Sequence, residues 1–302
     1  MTNEKPKRID IREEVTNQII TLLEKVDLED YEPPFASFAA QGIPSNPTTE
    51  KQYQGINILS LWFNQQAKAF TSNEWATFKQ WKDQGAKVRK GEKASRIIFY
   101  KTLIQEEENA KGQMEEHKIP MLKAYAVFNA NQVEGYETPM EDMERVDKVK
   151  RIALVDEFCK NTKADIRYGE NGAFYDIAND YINMPETSSF VDTHHADATE
   201  NYYSTLLHEL THWTGAKHRL DREMKKTNSN LQDYAYEELV AELGSAFLSA
   251  QHGITQTQPE HHAIYIKEWL KALKNDKAHI FKAAAQAMKA VEFLNAPTMG
   301  AK

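Results

Sequence analysis

The sequence predicts an α+β fold in two domains, residues 1–140 and 141–302. Three observations predict it. "ASRIIFYKTLI" and "LKAYAVFNANQVEG", both in the first half, are rich in β-branched and aromatic residues and read as antiparallel strands. Most of the chain after Pro185 has helical periodicity instead. Between these halves, residues 136–147, "YETPMEDMERVD", combine a proline with an acidic cluster that suits a linker.

The elements follow in order. Residues 9–30 read as an amphipathic helix with Val15, Ile19, Leu22 and Leu23 on one face. The Pro-, Gly- and Asn-rich stretch "YEPPFASFAAQGIPSNPTTEKQYQGIN" reads as loop. "ILSLWFNQQAKAF" and "WATFKQWKDQG" read as helices, the second stopped by Gly85. "QEEENAKGQMEEHK" is expected as a charged hairpin tip or long loop between the two strands. Residues 143–162 are expected to form a helix, and "ADIRYGENGAFYDIANDYINMP" a strand–turn–strand hairpin.

Composition narrows the class. No apolar run approaches the roughly eighteen residues of a membrane span. "MTNEKPKRIDIREEV" has no apolar stretch behind its charges, so no secretory signal is expected. Cys159 is the only cysteine, which excludes an internal disulfide framework and a cysteine-rich zinc site and fits a cytoplasmic protein. The net charge is −8, yet residues 51–101 hold ten Lys/Arg against three Asp/Glu, a local balance of +7. One basic segment in an acidic chain points to a localised anion site.

"LLHELTHWTGAKHRL" carries His208, Glu209 and His212 on one helix. Residues four apart share a helix face, so both imidazoles can reach one ion, with Glu209 beside them as a general base toward water at the metal. A third ligand is expected from "YAYEELVAELGSAFL", where Leu239, Leu243, Ala246, Phe247 and Ala250 form a buried stripe. Glu238 and Glu242 share one flank of that stripe, while Glu237 points more nearly away. Glu238 is assigned as the ligand and Glu242 as the carboxylate that accepts the free N–H of a ligand histidine, the reverse assignment staying open. Zinc is the expected ion, with another divalent ion such as Mn2+ as the alternative. "YDIANDYINMP" is expected as the sheet edge beside the helix. The adjacent pairs His194/His195 and His261/His262 point in different directions on any regular element and are expected at the surface, as is His218. Tyr181, Tyr234 and His218 are the candidates for an oxyanion partner.

The basic segment interleaves Lys87, Arg89, Lys90, Lys93, Arg96 and Lys101 with Trp75, Phe78, Trp81, Phe99 and Tyr100. Single strands are bound by such mixtures, cations tracking phosphates while aromatic faces stack on bases. "KVRKGEK" lacks the spacing of a phosphate loop. The competing reading is ordinary: aromatic residues at such spacing form core, and lysines a solvated face.

The segments "PFASFAAQGIPSNPTTEKQYQGINILSLW", "SNEWATFKQWKDQGAKVRKGEKASRIIFYK" and "AYAVFNANQVEGY" resemble the N-terminal domain of the ArdC antirestriction family, a domain also found in plasmid primase-type proteins carried by conjugation. "LLHELTHWTGAKHRL" and "YAYEELVAELGSAFL" resemble that family's C-terminal zincin-like metallopeptidase domain, and the similarity runs from about residue 10 to about 290. The resemblance implies an N-terminal domain that binds single-stranded DNA, a metal-binding C-terminal domain, and protection of incoming plasmid or phage DNA from host restriction. The alternative is a cytoplasmic zinc metallopeptidase whose main function is proteolysis of a host protein. If the domain hydrolyses peptides, zinc on His208, His212 and Glu238 polarises the scissile carbonyl and Glu209 passes a proton to the leaving amine.

Overall fold

The computed structural model describes residues 11–27, 33–108, 114–137, 148–193, 196–224, 231–257 and 264–296. In chain order they form α1 (Ile11–Leu23), α2 (Ala36–Ala39), β1 (Ser45–Asn46), β2 (Lys51–Gln52), α3 (Ile56–Ala67), β3 (Trp75–Ala76), α4 (Phe78–Asp83), β4 (Lys87–Val88), β5 (Ser95–Glu108), β6 (Met114–Asn129) and β7 (Val133–Glu134). There follow α5 (Lys148–Asn161), β8 (Ile166–Tyr168), β9 (Phe174–Asp176), β10 (Tyr181–Met184), α6 (Ala198–Trp213), α7 (Leu231–His252), α8 (Ile266–Asn275) and α9 (His279–Asn295). The fold is α+β.

Two compact units emerge. One comprises Met1–Ile43, Gln54–Ile56 and Pro139–Lys302; the other comprises Pro44–Tyr53 and Asn57–Thr138. The division falls near Pro139, and the segment up to Ile43 groups with the larger unit. α1 packs with the helical unit because it has an apolar face to bury. Val15, Ile19 and Leu23 are buried, and the buried Thr16 hydroxyl donates to the Lys277 carbonyl at 3.0 Å. The ion pairs Lys274–Glu24 at 2.7 Å and Lys277–Glu13 flank that seam, and exposed pairs of this kind add little to its stability.

The smaller unit is built on the β5–β6 ribbon, antiparallel from Ser95↔Val127 to Glu108↔Met114, with β3 added to β6. The stretch expected as a charged tip is thus largely strand, since Gln105–Glu108 and Met114–Lys118 continue the ladder; residues 109–113 lie outside the described set. One core cluster gathers Tyr53, Leu61, Trp75, Ile97 and Val127, and another Ala76, Trp81, Ala86, Ala130 and Val133. A capping box starts α4: the Thr77 hydroxyl accepts from Gln80 N at 3.3 Å, and Gln80 Oε1 accepts from Thr77 N at 2.9 Å. Gly85 follows with φ +80°, the left-handed conformation that stops the helix.

In the larger unit α6 and α7 pack directly on each other. Asp197 caps α6 by accepting from Glu200 N at 2.9 Å. Close approach of the two helices requires Gly244, where a Cβ would lie 2.5 Å from Thr211 Cγ2 and 2.7 Å from its Oγ1. Thr211 is fully buried and cannot swing away. Gly244→Ala should therefore lower the melting temperature, because overpacking costs about 1–3 kcal/mol and outweighs the ~1 kcal/mol gained in helix propensity. An unchanged or raised Tm in thermal denaturation would show that the helices can separate without loss.

The expected strand–turn–strand hairpin is three short strands ordered β8-β10-β9. β9 and β10 are antiparallel, but β10 runs parallel to β8, with Ile182 opposite Ile166. Of the stretch expected as the sheet edge, only β9 is an edge; β10 is central, because its four residues are all buried and need neighbours on both sides. Both strands touch α6.

Candidate functional site

Helical spacing puts His208 and His212 one turn apart on α6, and their Nε2 atoms stand 3.1 Å from each other. Glu238 reaches across from α7. Its Oε2 lies 3.4 Å from His208 Nε2 and its Oε1 lies 3.5 Å from His212 Nε2. Candidate ligand atoms on the three residues all fall within 4.8 Å of one another. Two imidazoles and a carboxylate, all buried, are the donor set of a divalent ion of the zinc or manganese kind. Glu209 is buried at 6% exposure on the same turn as His208.

The opposite nitrogen of His212, Nδ1, lies 3.2 Å from Glu237 Oε1. That carboxylate is gripped by Arg222, whose Nη2 donates to Oε1 at 2.6 Å and whose Nε donates to Oε2 at 3.1 Å. Arg222 also donates to the Thr211 carbonyl and the Thr214 hydroxyl, both at 2.6 Å, which ties the 214–224 segment to the end of α6. This corrects one expectation: Glu237, expected to point away, stands at the Nδ1 side of His212. Successive helix residues differ by about 100°, so Glu238 can face the Nε2 side while Glu237 faces the Nδ1 side. Glu242 lies one turn on, its Oε2 receiving Gln256 Nε2 at 3.0 Å.

The electrostatics are those of an anionic cradle. Burial lowers the His212 imidazole, but Glu238, Glu237 and Glu209 outweigh it and push the pKa up to about 10. Burial works against both carboxylates too, yet Arg222 holds Glu237 below its usual range and the two imidazoles hold Glu238 well below it. Tyr234 belongs here as well. Its phenol is raised by burial and by Glu238, to which it hydrogen-bonds, with Glu209 adding to the effect. The other two oxyanion candidates are engaged elsewhere: Tyr181 donates to Glu170 Oε1 at 3.0 Å, and His218 Nε2 lies 3.1 Å from Asp180. His194, His195, His261 and His262 lie outside the described residues.

In the smaller unit the basic segment separates into two kinds of residue. Lys87, Lys90, Lys93 and Arg96 are exposed, and no ion pair holds them among the described residues. Arg89 is a brace instead. It pairs with Glu92 Oε1 at 3.0 Å and donates to the Asn131 carbonyl, while Gln132 Nε2 donates to Glu92 Oε2 at 2.9 Å. The Gln132 bond, with Arg89 behind it, keeps the Glu92 carboxyl below its usual range. The side chain of Lys101 lies outside the described set.

Trp75 and Trp81 do not offer stacking faces, which corrects the expectation for both. Each is fully buried, Trp75 against Leu61 and Ile97, and Trp81 with its indole Nε1 donating to the Phe128 carbonyl at 2.9 Å. The Trp81 indole, with a partner for its N–H, is cheaper to bury than to expose. Among the described residues of the smaller unit the exposed aromatics are Phe78 (55%), Phe99 (50%) and Tyr125 (37%). Tyr125 and the roles of Glu237 and Arg222 escape sequence reading, the first because a strand aromatic gives no sign of which face is open.

A buried helix-borne histidine pair, a glutamate beside it and a carboxylate from the next long helix are the arrangement of a zincin-like domain. Comparison with known proteins agrees and goes further. Residues 153–286 match the family described as zincin-like metallopeptidase, and residues 9–128 match the N-terminal domain of anti-restriction factor ArdC. The chain belongs to the ArdC antirestriction family. It is 36% identical over 292 residues to the uncharacterised protein y4eC of Sinorhizobium fredii, covering 95% of this chain and 92% of that one. It is 35% identical over 267 residues to an Escherichia coli DNA primase TraC, covering 83% of this chain but only 24% of the primase. The crystal structure of the antirestriction ArdC protein of plasmid R388 in its Mn(II)-bound form superposes with a TM-score of 0.75 at 35% identity, covering 97% of this chain and 100% of that one. The metal-free form gives the same TM-score of 0.75, over 95% and 97% of the two chains. Among the described residues no helix is long and apolar enough to cross a membrane.

Proposed function

We propose that this chain is an antirestriction factor that binds single-stranded DNA in the cytoplasm and shields incoming plasmid or phage DNA from host restriction, with a divalent ion, zinc or manganese, on His208, His212 and Glu238. The observation that carries this reading is the match to an antirestriction protein along 97% of the chain. Lys87, Lys90, Lys93 and Arg96, exposed and without an ion pair among the described residues, support the DNA part, and the buried two-imidazole, one-carboxylate set supports the ion. The whole chain should bind single strands more tightly than duplex, because a stacked base must be unpaired. Fluorescence anisotropy with matched oligonucleotides tests this, and equal or tighter duplex binding would sink it.

A second reading, proteolysis of a host protein, is favoured by one observation: Glu209 and Tyr234 stand at the ion site although neither is needed to hold an ion. When bound, the ion supplies Lewis-acid chemistry to a carbonyl. Glu209 would take a proton from water and pass it to the leaving amine. Tyr234, holding its proton on the phenol oxygen, would donate to the developing oxyanion.

Shielding needs only the DNA-binding surface, so Glu209→Ala should keep its ion, its DNA binding and its protection of incoming plasmid. The measurement is transformation efficiency of unmodified plasmid into a restricting host, with metal content and expression verified. Lost protection with DNA binding intact would make the peptidase the effector.

A further inference from the structure

The smaller unit contains a cleft of about 430 Å3 that the basic segment does not account for. Its floor is Ile97 and Val127, buried at 3% and 0%. Its rim is the aromatic pair Phe99 and Tyr125, ring centroids 5.3 Å apart and perpendicular, both substantially exposed. Polar groups come from β1 and α4, where Asn46 Nδ2 donates to Gln80 Oε1 at 3.2 Å. Gln80 Oε1 also accepts from the Thr77 backbone and hydroxyl, each at 2.9 Å. With three donors on its oxygen and no partner for its Nε2 among the described residues, the amide of Gln80 has hydrogens left to give. A cation stands at the rim: Lys123, directly opposite Phe99 in the ladder, holds Nζ 4.9 Å from the Tyr125 ring centroid. Lys51, opposite Asn46 in β2, and Lys79, next to Gln80 on α4, are exposed and bear no ion pair among the described residues.

An open aromatic face, a lone amide donor and surrounding cations are the three elements that hold a base with its phosphate. The volume is that of a small-ligand site, larger than a single side chain would fill. We propose that this cleft receives one unpaired nucleobase of a bound DNA strand, stacked on Phe99 with Tyr125 closing the side, an acceptor on the base edge taking a hydrogen bond from Gln80 Nε2, and Lys123 meeting the adjoining phosphate. The inference rests on the single-strand reading above and adds to it: the unit reads a base at one position as well as tracking phosphates. It also supplies the stacking that the buried Trp75 and Trp81 cannot.

The test uses the full chain, an oligothymidylate and an abasic oligomer of the same length and charge. The wild-type chain should bind the abasic oligomer about tenfold or more weakly, the loss expected when one stacked base is removed. The Phe99→Ala, Tyr125→Ala variant should bind both oligomers alike, at the abasic level. Gln80→Glu, which keeps the capping oxygen but replaces the donor with a charge, should also lose most of the discrimination. Full discrimination by the double variant would overturn the cleft while leaving DNA binding in place. No binding of either oligomer by wild type at low salt would instead remove the underlying reading. If the double variant does not fold, photocrosslinking of wild type to an iododeoxyuridine-substituted strand decides the matter. Adducts are expected on Phe99 or Tyr125, and adducts found only elsewhere overturn the proposal.

Discussion

His208→Ala should emerge from purification without a bound divalent ion, where the wild-type chain should carry about one. The three candidate ligands converge within 4.8 Å, and a site with one imidazole and one carboxylate left has lost a third of its donors. Stability should fall with the ion, because an ion that binds only the folded chain stabilises it by about 2.7 kcal/mol at a hundredfold excess over Kd. For a chain of this size that corresponds to a drop in Tm on the order of 5–10 °C. A chelator should bring the wild-type chain to the same low Tm and leave His208→Ala unmoved. Glu237→Ala should give a graded result instead: the ion is retained but held some 10–100-fold less tightly, since His212 loses the partner that orients it. Elemental analysis with thermal denaturation decides these cases. Equal metal in wild type and in the His208→Ala, His212→Ala double variant would place the ion elsewhere.

The cluster of His208, His212 and Glu238 was largely legible in the sequence because helix geometry is local. Residues four apart must share a face, so His208 and His212 could be paired without knowing the rest of the fold. Glu238 needed a second helix of guessed orientation, and the apolar stripe from Leu239 to Ala250 supplied it. Glu237 was expected to point away because a stripe fixes only which side of α7 faces inward. In a helix buried nearly all round from Ala235 to Ala250, both flanks face inward, and Glu237 is as enclosed as Glu238. Arg222 arrives from a turn after α6, and no periodicity marks a residue of that kind.

The packing of α1 shows the same limit. The apolar face of α1 was readable, but a helix that needs a partner does not state which partner, and Val15, Ile19 and Leu23 were satisfied in the helical unit rather than on the adjacent sheet. The stacking residues failed for a related reason. Trp75 and Trp81 sit beside the basic run in sequence, but adjacency along the chain says nothing of exposure. In the structure both close the core from which the cations project.

Replacing Lys87, Lys90 and Lys93 together with glutamate should abolish single-strand binding. Each is exposed without an ion-pair partner among the described residues, so none is committed to the fold. Three reversals, each removing two units of charge, take the 51–101 balance from +7 to +1. Arg89 is left unchanged on purpose: it braces the turn through Glu92 and Asn131, so its loss would disturb the loop as well as the charge. The corresponding triple alanine variant gives the quantitative form of the test. Each phosphate contact to a single strand contributes about 0.7 to the slope of log K against log salt, so three lost contacts should flatten that slope by about 2. Phe99→Ala, Tyr125→Ala should behave in the opposite way, weakening binding with the slope intact, because stacking releases no counterions. Salt titrations of the variants by fluorescence anisotropy separate the two contributions. An unchanged slope in the triple alanine variant would show that the phosphates run along another face, and the assignment of Lys87, Lys90 and Lys93 would fall.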